Sequence, residues 1–273
     1  MSVSKDIKPG DVLLELDGIR MSFGRVCALD GISVKIKKGE IHSIIGPNGA
    51  GKTVMMNCIS GLYHSQQGSI YYRGEKINHL PPHDRAKLGI ARTFQKVEVF
   101  GGMTVLDNIR LGRHIHYKSG ILSGSVYLGE TAREEKEHRK FIEEEIIDLL
   151  EIEHIRHKPV GMLPYGLQKR VELGRAIALE PELLILDEPL AGLNLEEVED
   201  MARFILDINQ EKRWKITCLL VEHDMGVVMD ISDNVYVLNF GNMIVDGPPE
   251  EIQKNPAVIK AYLGEEDLYA TRK

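Results

Sequence analysis

The chain has 273 residues, 43% of them apolar, with three cysteines and a formal net charge of −7. That length supports one α/β domain with a sizeable core, or a domain plus a small lobe, and the acidic balance argues against a nucleic-acid partner. Cys27, Cys58 and Cys218 lack metal-ligand spacing and fit packed thiols in a reducing compartment; no apolar run approaches the ~20 residues of a membrane span, so a cytosolic chain is expected.

Val12 to Lys37 reads as strand, because Ile32, Val34 and Ile36 alternate with Ser33, Lys35 and Lys37 at the period of a half-buried strand. With Ser69 to Tyr72 this predicts a small, mostly antiparallel sheet. Between them lies IHSIIGPNGAGKTVMMNCISGL, residues 41–62, which reads as strand, glycine-rich loop and helix. Gly46, Gly49 and Gly51 have no Cβ, so the backbone through Pro47, Asn48 and Ala50 can turn consecutive N–H groups toward one centre. The loop ends at a helix N-terminus near Lys52, where unpaired N–H groups and the helix dipole favour phosphate. Lys52 adds a full charge, Thr53 a hydroxyl suited to Mg²⁺, and Val54 the first apolar position of the helix. A nucleotide triphosphate is the expected ligand. In the preceding turn, SFGRVCALDG, Phe23 is placed either to fill the core or to stack on the nucleotide base.

Beyond the loop, Gln95 offers a neutral amide that can ligate Mg²⁺ or orient a water. Thr104 to His157 is expected to be helical: Ile142, Ile146, Leu149 and Leu150 share one face, opposite the charged run REEKEHRKFIEEE. The run fits a solvated face with i,i+4 pairs. KSGILSGSVYLGE is expected as a loop, and His114 and His116, two apart, do not share a helix face.

A turn at Leu163 to Gly166 leads into an amphipathic helix ended by Glu180-Pro181, and Leu183 to Leu186 forms a buried strand ending in Asp187-Glu188. Carboxylates at the carboxyl end of a parallel strand face the crevice where α/β sheets bind ligands. Asp187 is expected to hold Mg²⁺ through water, and Glu188 to polarise the attacking water as general base. Val198 to Ile208 predicts another helix, Ile216 to Val221 another buried strand, and His223 follows it at the same sheet edge, within reach of a γ-phosphate. Val235 to Leu238 and Met243 to Val245 predict a closing hairpin.

The order GPNGAGKT, Gln95, LPYGLQKR, LLILDE, His223 resembles that of the ATP-binding cassette (ABC) ATPases over nearly the whole chain. The resemblance implies an α/β P-loop core with a mostly parallel sheet, an antiparallel lobe, and a helical lobe inserted near residues 97–160. A single ABC domain at 12–250 and a tail helix at 251–273 are then expected. ATP and Mg²⁺ are implied, in a head-to-tail dimer where Gly166 in the signature of one subunit faces the phosphate loop of the other. Two positions depart from the family. The signature reads Leu163-Pro164-Tyr165-Gly166-Leu167 in place of L-S-G-G-Q, and the loop after Glu188 ends Ala191-Gly192-Leu193-Asn194 in place of S-A-L-D. With RTFQ, EHDM and AYLGE, these forms look like the ATPases of branched-chain amino acid importers and their amide or urea relatives. That implies transmembrane permease subunits, a homologous ATPase partner, an indirect solute-binding protein, and a place on the cytoplasmic face of the membrane. The alternatives are a lipopolysaccharide-transport or exporter ATPase, expected to keep LSGG, and a regulatory module that holds ATP without cleaving it. A chromosome-maintenance ATPase would need a long coiled coil, for which the hundred or so residues between Lys52 and Leu163 leave no room.

Overall fold

The computed structural model describes residues 7–116 and 130–262. Strand β1 (Val12–Phe23) pairs antiparallel with β2 (Val26–Lys37), and the alternation seen in the sequence sets the register. Ile36, Val34 and Ile32 stand opposite Leu14, Leu16 and Ile19, all of them buried. β3 (Ile41–Ile45) then enters the second sheet and α1 (Lys52–Ser60) follows it. β4 (Gln67–Tyr72) and β5 (Glu75–Lys76) complete a four-stranded antiparallel sheet of order β2-β1-β4-β5.

After α2 (Pro82–Lys87), the chain forms β6 (Ile90–Arg92), α3 (Val105–Gly112), α4 (Glu130–Phe141) and α5 (Tyr165–Ile177). β7 (Leu183–Asp187), α6 (Leu195–Gln210), β8 (Thr217–Val221), α7 (Met225–Ile231), β9 (Asn234–Asn239) and β10 (Asn242–Gly247) follow, and then α8 (Pro249–Lys254). The six-stranded sheet has the order β10-β9-β3-β8-β7-β6, parallel throughout except for the edge strand β10.

β3, β7 and β8 are five residues each and buried at every position, as a sheet covered on both faces requires. Their side chains divide by parity. Ile44, Ile185, Leu219 and Val221 pack toward the antiparallel sheet, whereas Leu184, Leu186, Cys218 and Leu220 pack under the helices. Each fully buried side chain of this kind contributes about 1.5–3 kcal/mol. The β9–β10 hairpin closes on Phe240 and Gly241, both with positive φ (45° and 77°), the two-residue turn that matches strand twist.

Within the expected helical region, α3 is capped by Thr104 and α4 runs into a turn of π-helix, Ile142–Ile147. Ile142, Ile146 and Leu150 are buried, and Arg139–Glu143 and Lys140–Glu144 pair on the solvated face. The KSGILSGSVYLGE loop lies outside the described residues except for its last position. His114 Nδ1 and His116 Nε2 hydrogen-bond the carbonyls of Leu111 and Leu179, both at 2.9 Å. The expected tail helix is not continuous: α8 starts at Pro249 and a second helical stretch occupies 256–262. Pro256 excludes its predecessor from helical backbone, and Asn255 is extended (ψ 120°). Residues 263–273 of that tail lie outside the described set.

Cys58 and Cys218 are buried, which pushes their thiols up to about 11 and about 12, whereas Cys27 is exposed. His42, on β3, is 1% exposed and stacks on Tyr236. Its Nε2 accepts from the Lys37 amide, and although Glu40 Oε2 lies 3.1 Å away, burial wins and lowers its pKa to about 4. The unfolded chain takes up a proton there near pH 6.5, while the folded chain resists until about pH 4. Stability therefore falls as pH drops through that window and is unaffected by His42 above it. Between pH 7 and pH 5 the loss from this residue is expected to be about 2 kcal/mol. Urea denaturation should show it in the native chain, and His42→Asn should remove that part of the slope; equal slopes in both would dismiss the effect.

Candidate functional site

In a parallel sheet the carboxyl ends of the strands share one edge, and β3, β6, β7 and β8 bring Gly46, the segment leading to Gln95, Asp187-Glu188 and Glu222-His223 to that edge. Two glycines of the loop are demanded by close approach. A Cβ on Gly46 (φ 147°) would lie 2.0 Å from the Leu238 carbonyl oxygen, and one on Gly51 (φ 104°) would lie 2.4 Å from that of Ala28. Gly51 is also the N-cap of α1, and no side chain caps that helix. Its first amides are left for a ligand. Lys52 is 6% exposed, and its ammonium donates to the carbonyls of Gly46 (2.5 Å) and Pro47 (3.1 Å), which curls the lysine over the loop.

This loop floors a cleft of about 440 Å³. Asn48, Gly49, Ala50, Gly51, Lys52, Thr53 and Val54 line it together with Gln95, Glu188 and His223, so residues far apart in sequence converge there. Gln95 Nε2 donates to Glu188 Oε2 at 2.8 Å, and His223 Nε2 stands 3.1 Å from Glu188 Oε1. The Glu188 carboxylate is therefore held by both oxygens. Its backbone has φ 49°, a strained conformation for a residue with a Cβ. Two contacts fix it: the Glu188 N–H donates to the Val221 carbonyl, and buried Lys169 donates to the carbonyls of Glu188 (2.7 Å) and Pro189 (3.0 Å). Burial lowers the Lys169 pKa against the opposing pull of Glu222 and Glu172.

Asp187 is 4% exposed, and its Oδ2 accepts from Arg92 Nη2 at 2.8 Å. Burial pushes its carboxyl up, and the Arg92 hydrogen bond and charge push it back. Thr53, Gln95 and Asp187 offer a hydroxyl, an amide and a carboxylate, the hard oxygen donors that Mg²⁺ takes, and Thr53 and Gln95 share the cleft. The residues fit that ion. When bound, it would neutralise charge on the outer phosphates.

Phe23 is not among the cleft-lining residues; it is half-exposed and meets Tyr63 edge to face at 5.4 Å. Val26, Cys27, Ala28 and Phe240 line the cleft instead, and Phe240 at the hairpin tip is 79% exposed.

Against known families, residues 29–191 match the ABC transporter model, which is more than half of the chain. The chain belongs to the ABC transporter family. Residues 242–267 of this ABC cassette also match the model described as branched-chain amino acid ATP-binding cassette transporter. It is 40% identical to the high-affinity branched-chain amino acid transport ATP-binding protein BraF of Pseudomonas aeruginosa, over 93% of this chain and 98% of that one. The same figures hold for LivG of Escherichia coli, which carries the same description. Among solved structures it resembles the ADP conformation of MJ1267, an ATP-binding cassette of an ABC transporter. That match has a TM-score of 0.79 and 31% identity, over 93% of this chain and 99% of that one. The α/β fold with its mostly parallel sheet and the ATPase activity expected from the sequence are those of this family.

In this ABC cassette the two unusual motifs touch one another. A Cβ on Gly166 would lie 2.2 Å from Glu197 Oε1, and Glu197 forms a reciprocal capping box with Asn194 at the start of α6. A Cβ on Gly192 would meet the Tyr165 ring at 3.1 Å. The LPYG turn is thus seated on the AGLN loop, where Asn194 does capping work open to Asp as well. Gly166 does not line its own subunit's cleft. Arg92, Lys169 and Glu222 were missed in the sequence. Glu222 is 3% exposed and accepts from the Leu190 and His223 amides (2.7 and 3.0 Å), joining the loops after β7 and β8. Lys169 did leave a signal, since it falls on the apolar stripe of α5 beside Gly166 and Leu173.

Proposed function

We propose that this chain is the ATP-hydrolysing subunit of an importer for branched-chain amino acids. The observation that supports the cargo is the match of residues 242–267 to the branched-chain model, beside about 40% identity to BraF and LivG over nearly the full length. For the chemistry, the support is Glu188 gripped between Gln95 and His223 above the phosphate loop. ATP with Mg²⁺ occupies the cleft; Glu188 takes the proton of the attacking water, Lys52 and the loop amides hold the phosphates, and His223 steadies the γ-phosphate. Thr53, Gln95 and Asp187 hold the ion.

A second ATPase subunit, the same chain or a homologue, lays its signature turn over this cleft, and Gly166 reaches the partner's nucleotide in return. Closure moves the helical lobe of residues 97–160 through the segment carrying Gln95. No helix among the described residues is long and apolar enough to cross a membrane. In this reading the pore belongs to permease subunits, a solute-binding protein delivers the cargo, and this chain works on the cytoplasmic face, as the likeness to BraF and LivG supports. A groove of about 360 Å³ walled by Phe100, Leu111, Arg175 and Leu179, beside that segment, receives a permease helix.

Uptake of labelled leucine, isoleucine and valine at low concentration checks the cargo. Cells lacking this chain should fall to background and recover when it is restored. Recovery for short amides or urea but not for leucine would move the assignment to an amide importer.

A further inference from the structure

Arg92 ends β6, three residues before Gln95, and its side chain is only 7% exposed. Each corner of its guanidinium meets a different part of the machine. Nη1 donates to Asn57 Oδ1 (2.7 Å) and Ser60 Oγ (3.0 Å), both on the phosphate-loop helix α1. Nη2 donates to Asp187 Oδ2 (2.8 Å), and Phe94, next to Gln95, lies under the guanidinium with its ring centroid at 5.4 Å. The same side chain walls the groove with Phe100, Leu111 and Arg175. A planar fork that bonds in two directions at once is what arginine supplies and lysine does not. Nε is buried with no acceptor among the described residues, a donor that an incoming carbonyl would satisfy.

We propose that Arg92 is a positioning residue that orients Asp187 for the metal and ties that carboxylate to the wall of the groove, so that metal and groove occupant act on each other through one guanidinium. This rests on Asp187 holding Mg²⁺, as inferred above. One carboxylate oxygen is committed to Arg92, which fixes the rotation of the group and leaves the other for the ion or its water. Partners of this kind usually govern metal affinity by ~10–100-fold. The distant end of the clamp is the groove. A side chain or helix seated against Leu111 and Phe100 presses on the residue that aims Asp187.

The test uses the full chain with a non-hydrolysable ATP analogue and Mn²⁺ followed by electron paramagnetic resonance. Arg92→Gln should weaken Mn²⁺ by ~10–100-fold, while affinity for the analogue without metal changes less than about twofold, a split that general loosening of the fold would not give. Arg92→Lys, which keeps the charge but not the fork, should recover only part of the loss and serves alone if the Gln variant does not fold. Leu111→Trp, filling the groove, should shift Mn²⁺ affinity at least about threefold with Arg92 present and not in the Arg92→Gln background, the signature of coupling in a double-mutant cycle. Native protein that binds the analogue but no Mn²⁺ would sink the metal site itself. Native protein that binds both, with either Arg92 variant matching it, would sink Arg92's role. An inert Leu111→Trp would sever the groove from the proposal.

Discussion

Glu188→Gln is expected to leave ATP binding intact and to slow hydrolysis by ~10²–10⁴-fold, the usual worth of a positioned general base. The geometry explains why binding should survive. Glutamine has the same shape, so its carbonyl oxygen can take the 2.8 Å bond from Gln95 Nε2, while its amide turns toward His223 Nε2. That nitrogen then accepts, which neutral histidine allows by moving its proton to Nδ1. The Lys169 contacts go to the backbone of residue 188 and are untouched, so the strained loop stays in place. What vanishes is the ability to take a proton from water. With hydrolysis blocked, ATP-closed pairs should accumulate, visible as a shift in size-exclusion chromatography on adding ATP and Mg²⁺. Single-turnover hydrolysis measures the chemical step, and turnover equal to the native chain would remove Glu188 from the mechanism.

Much of this site was legible in the sequence because its parts are local. The phosphate loop needs glycines within six residues of one another, and the buried strands β7 and β8 read as largely apolar runs that lead straight into Asp187-Glu188 and Glu222-His223. Gln95, Glu188 and His223 were recognised one at a time; their mutual bonds, spanning 93 and 35 positions, come only from the parallel order of β6, β7 and β8. Arg92 and Lys169 escaped for the same reason. Each is a single cation whose partners lie on other elements, and although Lys169 stands on the apolar stripe of α5, nothing in the sequence places those partners beside it. Aromatics were legible by spacing alone: Phe23, at a suggestive distance from the loop, is half-exposed and edge-on against Tyr63, while Phe240, in a turn read only as a turn, lines the cleft. The tail helix expected over 251–273 is interrupted at Asn255-Pro256, because a proline disfavours helical backbone in the residue before it.

Lys52→Ala is expected to weaken nucleotide binding by ~10–100-fold, since a hydrogen bond to a charged group contributes about 1.5–3 kcal/mol. Two features bear on the size. The ammonium is nearly buried and already bonded to the carbonyls of Gly46 and Pro47, so some of its attraction to phosphate is offset by contacts it must share or leave. Against this, the cradle is built by backbone close approach at Gly46 and Gly51, which alanine at position 52 does not disturb. The amides of α1 therefore remain aimed at the ligand, and binding is reduced, not abolished. Titration with a fluorescent ATP analogue gives the affinity, and circular dichroism of the same sample establishes that α1 and the sheet persist. The loss should be smaller for ADP than for ATP, because the lysine serves the outer phosphates. An unaltered titration for ATP would mean that the lysine is not a phosphate ligand and would count against the cleft as the nucleotide site.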